Sequence, residues 1–180
     1  MKIGRTCCFI GHPPQELNFK FDETHWDCIH LKELLVSQIY TLITAYQIQT
    51  FYSGMNLGCD QFAAEAVLSL KHEFPQIRLE CILPCETQHV KWNELQRDRF
   101  FYILEHCDTE SMLQYAYTPD CIEKRNVYMI DHSDIVLAVW NSQPGEISRA
   151  ISYAYETGKF TIVVDPDTFQ VKPNISALKR

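Results

Sequence analysis

The residues from Phe51 to Asp60, FYSGMNLGCD, have the types and spacing most suggestive of chemistry in this chain. A short apolar run ends at Ser53 and Gly54, Gly58 follows in a loop, and Asp60 stands where an alanine-rich helix begins. Glycines let a backbone approach a ligand closely, and the free N–H groups at a helix N-terminus attract anions, most commonly phosphate. The pattern predicts recognition of a nucleotide or a similar phosphorylated small molecule.

The spacing matches neither common phosphate-binding fingerprint. GxxxxGK[ST] would need Lys at Cys59, and GxGxxG would need Gly at Asn56. The same segment is also consistent with a tight turn between a strand and a helix, in which Asp60 is an ordinary helix cap. Both interpretations stay open from the sequence.

Length and composition limit the class of protein. The 180 residues predict one globular domain, and 46% hydrophobic and 12% aromatic residues are enough to build its core. With a formal net charge of -7, the chain offers no overall positive field, so we expect no non-specific binding of nucleic acid. A pocket for a single phosphate remains compatible with this charge.

The apolar runs are short. None reaches the ~18 residues of a membrane span, and the run from Thr6 to Ile10 is too short for a signal-peptide core. We therefore expect a cytoplasmic protein without a membrane partner. The eight cysteines form no CxxC pair and mostly lie in apolar runs, which predicts reduced core thiols. We expect no cofactor. We also expect no metal, because of the three possible zinc ligands His25, Cys28 and His30, His30 falls on a different side of the helix from the other two.

Strand-like apolar runs alternate with amphipathic helices along the chain. We predict six strands, at 6–10, 49–52, 78–83, 108–113, 135–140 and 160–164, and five helices between them, at about 24–46, 60–72, 88–106, 120–131 and 146–158. This alternation indicates a parallel sheet with helices on both faces. The predicted fold class is α/β, with a single Rossmann-like domain at 1–167 and a C-terminal tail at 168–180.

In such sheets, ligands lie beyond the carboxyl ends of the strands, near the point where the strand order reverses. The glycine and polar residues at these ends are therefore the candidate ligand-binding residues. They are Gly11 and His12 after the first strand, Ser53, Gly54, Gly58 and Asp60 after the second, Glu86 after the third, and Asn141 and Gly145 after the fifth.

The strand-end candidates have more than one possible role. Ser53 either donates its hydroxyl to a phosphate or bonds to its own loop. Asp60 either orients a ribose hydroxyl or caps the helix. Glu86 either accepts a hydrogen bond from a sugar or base, or is a solvated loop acid.

Three further candidates lie on helices. Trp92 either stacks on a base or packs in the core, since its spacing also fits a buried helix face. Arg125, followed by Asn126, either pairs with a phosphate in bidentate fashion or forms a surface salt bridge.

Four segments, taken in order, resemble the YpsA family within the SLOG superfamily, which also includes the DNA-processing protein DprA and the LOG cytokinin-activating enzymes. They are IGHPP, SGMNLGCDQFAAEAV, ILPCETQHVKWNE and KRNVYMIDHSDIVLAVWN. The resemblance covers about residues 7–164. It implies a Rossmann-like domain that binds a nucleotide or nucleotide-derived ligand, and it leaves the reaction open. A sensor or regulator is the role we expect for such a ligand-binding domain.

Departures from the related families weaken two further hypotheses. LOG enzymes carry PGGxGTxxE with a catalytic Glu, where residues 141–149 here read NSQPGEISR. In an enzyme cleaving the N-glycosidic bond of a nucleoside monophosphate, Glu146 would activate water or stabilise an oxocarbenium ion, and Arg125 would hold the phosphate. A DprA-like nucleic-acid partner is disfavoured by the negative charge. A homo-oligomer is compatible with the sequence.

Overall fold

A computed structural model describes residues 5–173 of the protein. Its strands are β1 (Thr6–Gly11), β2 (Thr50–Ser53), β3 (Arg78–Leu83), β4 (Thr109–Met112), β5 (Ile135–Val139), β6 (Phe160–Val164) and β7 (Val171–Pro173). Its helices are α1 (Trp26–Thr44), α2 (Cys59–Leu70), α3 (Glu94–His106), α4 (Cys121–Asp131) and α5 (Glu146–Glu156), with a short 3-10 turn at Pro14–Glu16.

The strands form one sheet in the order β4-β3-β2-β1-β5-β6-β7. All neighbours are parallel except β6 and β7. The chain builds outward from β1 to β4 and then crosses to the other side of β1 as β5, so the strand order reverses between β1 and β5. There Gly11 is paired with Val139, which places two strand ends side by side where α/β folds bind ligands.

Two layers of helices cover the sheet because strand side chains alternate between its faces. Cys7 and Phe9 contribute to the core that contains α1, α2 and α3. Cys8 and Ile10 contribute to the core on the other face, with α4 and α5. Burial on both faces explains the continuous apolar runs of β1, β5 and β6, and it makes the sheet a fixed platform for the loops at its carboxyl edge.

The predicted α/β fold is confirmed, and two details differ from the expectation. Strand β7 lies inside the predicted tail and pairs antiparallel with β6. Its three residues include Pro173, so it carries no period-two pattern that a sequence could reveal. The remainder of the predicted tail, 174–180, lies outside the described residues.

Helix α3 begins at Glu94, later than the predicted Gln88. Asn93 is its N-cap: the Asn93 side chain accepts from the Gln96 N–H (2.9 Å), and the Gln96 side chain accepts from the Asn93 N–H (3.1 Å). This reciprocal capping box fixes the start of the helix. Residues 86–92 are consequently free to form a non-helical segment beyond β3.

None of the described helices combines the length and the apolar character that crossing a bilayer would require.

The capping box gives a stability prediction. Replacing Asn93 by Ala should lower the free energy of unfolding by about 1 kcal/mol, because one orphan N–H of the first turn loses its acceptor. Asn93→Ser, which keeps a capping oxygen, should lie much closer to the wild type. Urea unfolding of the three proteins measures the difference, and equal losses in both variants would contradict the assigned cap.

Candidate functional site

His12 joins the two strand ends at the point of reversal. Its side chain is buried, with Nδ1 2.5 Å from Glu16 Oε2, and Nε2 accepts from the Asn141 N–H at 3.3 Å. Because Nε2 accepts, the proton lies on Nδ1 and is donated to Glu16. Both ring nitrogens are therefore engaged within the protein, and His12 positions the ends of β1 and β5.

Gly11 and Gly58 lie next to His12 at positions where a Cβ atom would meet neighbouring atoms too closely. A Cβ atom on Gly11 would overlap the side chain of Cys59 at the start of α2. Gly58, the N-cap of α2, has a φ of 86°, and a Cβ there would press on the His12 carbonyl oxygen at 2.9 Å. Both glycines thus allow α2 to begin directly against β1.

The loop after β2 satisfies its own polar groups. The Ser53 hydroxyl donates to the Asp60 carbonyl at 2.9 Å and accepts from the Met55 N–H at 3.2 Å. The Asp60 carboxylate accepts from the Asn56 N–H at 3.3 Å. Ser53 is fully buried, and its hydroxyl bonds within its own loop. Asp60 is not the N-cap of α2, because Gly58 occupies that position.

Arg125 explains why residue 54 is glycine. The Arg125 guanidinium is 1% exposed, donates to the Gly54 carbonyl oxygen, and lies with one nitrogen 3.9 Å from Asp60 Oδ2. A Cβ atom on Gly54 would overlap this guanidinium. Neither sequence interpretation of Arg125 matches this geometry, because the group is neither on the surface nor open to a phosphate. Gly54 makes room for an arginine and not for a ligand.

Asn126 carries the buried network towards the surface. Its Oδ1 accepts from Arg125 Nε at 3.1 Å, and its Nδ2 donates to Glu146 Oε1, also at 3.1 Å. The contacts thus run from Asp60 through Arg125 and Asn126 to Glu146. Glu146 is half-buried, and it is the member of the network that reaches a cavity wall.

Two adjoining cavities lie at the carboxyl edge of the sheet, and we call them together the carboxyl-edge cleft. They share Asn56, Trp92 and Ile122. The smaller part, about 220 Å³, also contains Gly11, Pro13, Gln15, Glu16, Leu57, Glu146 and Ile147. The larger part, about 460 Å³, also contains Pro84, Cys85, Thr87, Gln88, Val90, Lys91, Tyr117 and Cys121.

Trp92 packs against the core and also lines the cleft. It packs edge-on against Phe100 of the core, with ring centroids 5.4 Å apart, and it lines both parts of the carboxyl-edge cleft. Packing holds the indole in place, so a ligand ring would meet a fixed aromatic wall.

Three other predicted residues lie at the same edge of the sheet but outside the walls of this cleft. Glu86 is exposed, and its N–H donates to the Tyr115 carbonyl at 3.2 Å. Asn141 accepts from the Gln143 N–H at 3.3 Å. Gly145 is exposed, and a Cβ added to it would meet nothing within 4 Å.

Comparison with known proteins shows the family of the chain. The sequence model of YpsA, described as the YspA SLOG family, matches residues 7–161. The chain belongs to the YpsA SLOG family. A UPF0398 protein of Bacillus cereus strain B4264 is 29% identical over 153 residues, which are 83% of this chain and 82% of the relative. The SPbeta prophage-derived protein YoqJ of Bacillus subtilis is 30% identical over 141 residues, 72% of this chain and 82% of that protein.

A solved structure gives the same fold. DNA processing protein A from Helicobacter pylori, studied for its single-stranded DNA binding mode, aligns with a TM-score of 0.58 and 16% identity. The alignment covers 88% of this YpsA-family chain and 64% of the DNA-processing protein. At this identity the likeness shows the architecture, which is the Rossmann-like domain expected for a SLOG protein.

Most cleft residues of this YpsA-family chain were not among the sequence candidates, including Asn56, Gln88, Tyr117 and Ile122. Gln88 Nε2 donates to the Gly54 carbonyl and to Asn56 Oδ1, both at 3.0 Å. The available signal for Gln88 was its place between the end of β3 and the cap of α3. A polar residue in a strand-to-helix segment is a candidate even when no glycine accompanies it.

Burial shifts the pKa values of Asp60 and Arg125, which we call the inner pair. It raises the pKa of Asp60 to about 6, although Arg125 and the Asn56 N–H favour the charged form. Burial also lowers the pKa of Arg125, while Asp60 and Glu146 act in the opposite direction. The inner pair is therefore sensitive to pH through its carboxylate.

This shift predicts a pH dependence of stability. The folded pKa of Asp60, about 6, lies above the ordinary value of 3.8 for an aspartate, so the folded state binds more protons between these values. Protonated Asp60 therefore stabilises the folded state fully below about pH 4. This contribution to the free energy of unfolding, roughly 3 kcal/mol, is lost as pH rises through about 6.

Urea unfolding of wild type and Asp60→Asn at intervals from pH 4.5 to 7.5 tests the shift. As pH rises, the free energy of unfolding of the wild type should fall relative to that of Asp60→Asn. Parallel pH profiles would show that Asp60 titrates alike in the folded and unfolded states.

Proposed function

We propose that this YpsA-family protein binds a nucleotide or a nucleotide-derived small molecule in the carboxyl-edge cleft, as a sensor or regulator. The observation that carries the proposal is the convergence of five separate segments at the point of strand reversal. They contribute Gly11, Asn56, Trp92, Ile122 and Glu146 to the cleft. Ligands of open α/β sheets bind at this position.

The larger part of the cleft suits a planar ring. Its volume of about 460 Å³ falls within the usual range of ~300–1,000 Å³ for small-molecule sites. Trp92 and Tyr117 offer aromatic surface, and Pro84, Val90 and Ile122 offer apolar contact. Stacking of a base on an aromatic side chain contributes ~1–3 kcal/mol.

The smaller part suits hydroxyl groups better than phosphate. Glu16 and Glu146 both line it, and carboxylates accept hydrogen bonds from sugar hydroxyls but repel an anion. Among the described residues that line either part, Lys91 in the larger part is the one Lys or Arg. With Arg125 buried, we expect base and sugar to provide most of the affinity and phosphate to add little.

The proposal predicts the effect of removing the aromatic wall. Trp92→Ala should weaken binding of the best nucleotide at least tenfold, about 1.4 kcal/mol, because the stacking surface is lost. Calorimetric titration with nucleosides, their mono- and diphosphates and dinucleotides measures the affinities. The matched control is Trp26→Ala, since Trp26 begins α1 and is 68% exposed.

The same titrations separate the alternatives. Unchanged affinity in a folded Trp92→Ala variant would place the ligand elsewhere. Wild-type binding to single-stranded oligothymidylate in preference to all small molecules would favour the DprA-like hypothesis. A wild type that binds no member of the panel would reject the proposed function.

Glu146 keeps the enzyme hypothesis testable, because its carboxylate lines the cleft and is oriented by Asn126. If the protein cleaves nucleoside monophosphates, Glu146→Gln should reduce base release at least ~100-fold while nucleotide binding persists. Glu156→Gln, an exposed change at the end of α5, is the control. Chromatographic detection of free base measures turnover, and binding without base release by the wild type would exclude this activity for the ligand tested.

A further inference from the structure

Gln88 has a carboxamide whose two ends are distinguishable. Its Nε2 donates to the Gly54 carbonyl oxygen and to Asn56 Oδ1, both at 3.0 Å. A backbone carbonyl can only accept, so the Gly54 contact assigns the nitrogen and, by elimination, the oxygen. Gln88 Oε1 is buried and has no hydrogen-bond partner among the residues that the structure describes.

A buried acceptor without a hydrogen-bond partner lowers the stability of the folded protein. A buried polar atom without a partner destabilises a protein by ~1–3 kcal/mol, and such atoms in native structures require an explanation. Gln88 lies on the wall of the larger part of the carboxyl-edge cleft, with Trp92 and Tyr117. Its unpaired oxygen therefore belongs to a side chain that a ligand would meet.

The group is also held firmly. The Gly54 carbonyl that receives Gln88 Nε2 also receives the buried guanidinium of Arg125. Turning the Gln88 carboxamide over would face Oε1 towards two acceptor oxygens, Gly54 O and Asn56 Oδ1. The orientation is therefore locked, and the acceptor is fixed before any ligand arrives.

We propose that Gln88 Oε1 accepts a hydrogen bond from an exocyclic amino group on the ring of the bound ligand, an inference that rests on the proposed nucleotide binding. Oε1 is covered by protein atoms, so binding must displace a neighbouring side chain of the cleft wall. An amino group that projects beyond the ring edge then reaches the uncovered oxygen. A ring N–H lies flush with the edge and, in uracil, is flanked by two carbonyl oxygens that would face Oε1 with like partial charge. The cleft therefore selects amino-bearing bases over uracil and hypoxanthine.

Asn56 complements this acceptor. Because Asn56 Oδ1 receives Gln88 Nε2, its amide nitrogen is a donor on the same cleft wall. An acceptor beside a donor matches an amino group beside a ring nitrogen, as in adenine and cytosine. Gln88 and Asn56 thus read one edge of the ring while Trp92 contacts its face.

Matched ligand pairs test the proposal in the wild-type protein. Each pair differs by one amino group: AMP and purine ribonucleoside monophosphate, CMP and 2-pyrimidinone ribonucleoside monophosphate, GMP and IMP. For the tightest binder of AMP, CMP and GMP, we expect the amino-free counterpart to bind at least ~10-fold more weakly by calorimetry.

A variant assigns the effect to Gln88. Gln88→Met keeps the length of the side chain but removes the acceptor, so it should bind both members of the pair within about twofold. Gln76→Met makes the same change at an exposed position preceding β3 and should retain the wild-type preference. Circular dichroism checks folding of both variants.

Each outcome decides the matter. Equal wild-type affinity for both members of the pair would overturn the role of Gln88 and leave nucleotide binding intact. Discrimination that persists in a folded Gln88→Met variant would assign it to another residue and overturn the proposal. If Gln88→Met does not fold, the same pair of titrations with Gln88→Leu assigns the effect, and discrimination that persists there would overturn the proposal. Absence of wild-type binding to every nucleotide would overturn both this inference and the proposed function.

Discussion

A buried guanidinium is the constraint on which the carboxyl edge of this protein depends. Arg125 cannot lose its proton, so each of its donors needs an acceptor inside the protein. Its hydrogen-bond acceptors are the Gly54 carbonyl and Asn126 Oδ1, and the Asp60 carboxylate, 3.9 Å away, balances its charge. Residue 54 must then be glycine, and the loop must bend so that its carbonyl faces inward. Removing one member of such a pair is expected to cost ~3–5 kcal/mol, which ties the shape of this edge to stability.

The burial of Arg125 also affects which groups of the loop after β2 could contact a ligand. The loop after β2 has the composition of a phosphate cradle, but its Met55 and Asn56 N–H groups already bond to Ser53 and Asp60. The Asp60 carboxylate supplies internally the negative charge that a bound phosphate would otherwise bring to this helix N-terminus. The loop presents two side chains to the carboxyl-edge cleft: Leu57, and Asn56, which is held by Gln88. The glycine loop is therefore a support for the cleft wall.

The fold was largely predictable, because strands buried on both faces and amphipathic helices leave local patterns. Both β3 and β6 have the bounds that the sequence predicts, whereas β7 has too few residues for any pattern. The placement of Gly11, Asp60 and Arg125 near one strand edge also follows from strand order. Their roles do not, since the Arg125 contact with Gly54 joins residues 71 positions apart. No local pattern distinguishes an arginine that will be buried from one that will face solvent.

Charge on the cleft walls connects this architecture to ligand choice. Arg125 is balanced internally by Asp60, so the surface of the smaller part is dominated by Glu16 and Glu146. An oligonucleotide would bring several phosphates to these acids on a chain of net charge -7, at a Coulombic cost that one lysine cannot offset. In the proposed binding mode, a single nucleoside would avoid that cost by directing hydroxyl donors to the carboxylates and its ring to Trp92. The proposal of a small and weakly charged ligand therefore rests on the burial of one arginine, which leaves the acids of the smaller part without a neighbouring positive charge among the described residues of the cleft wall.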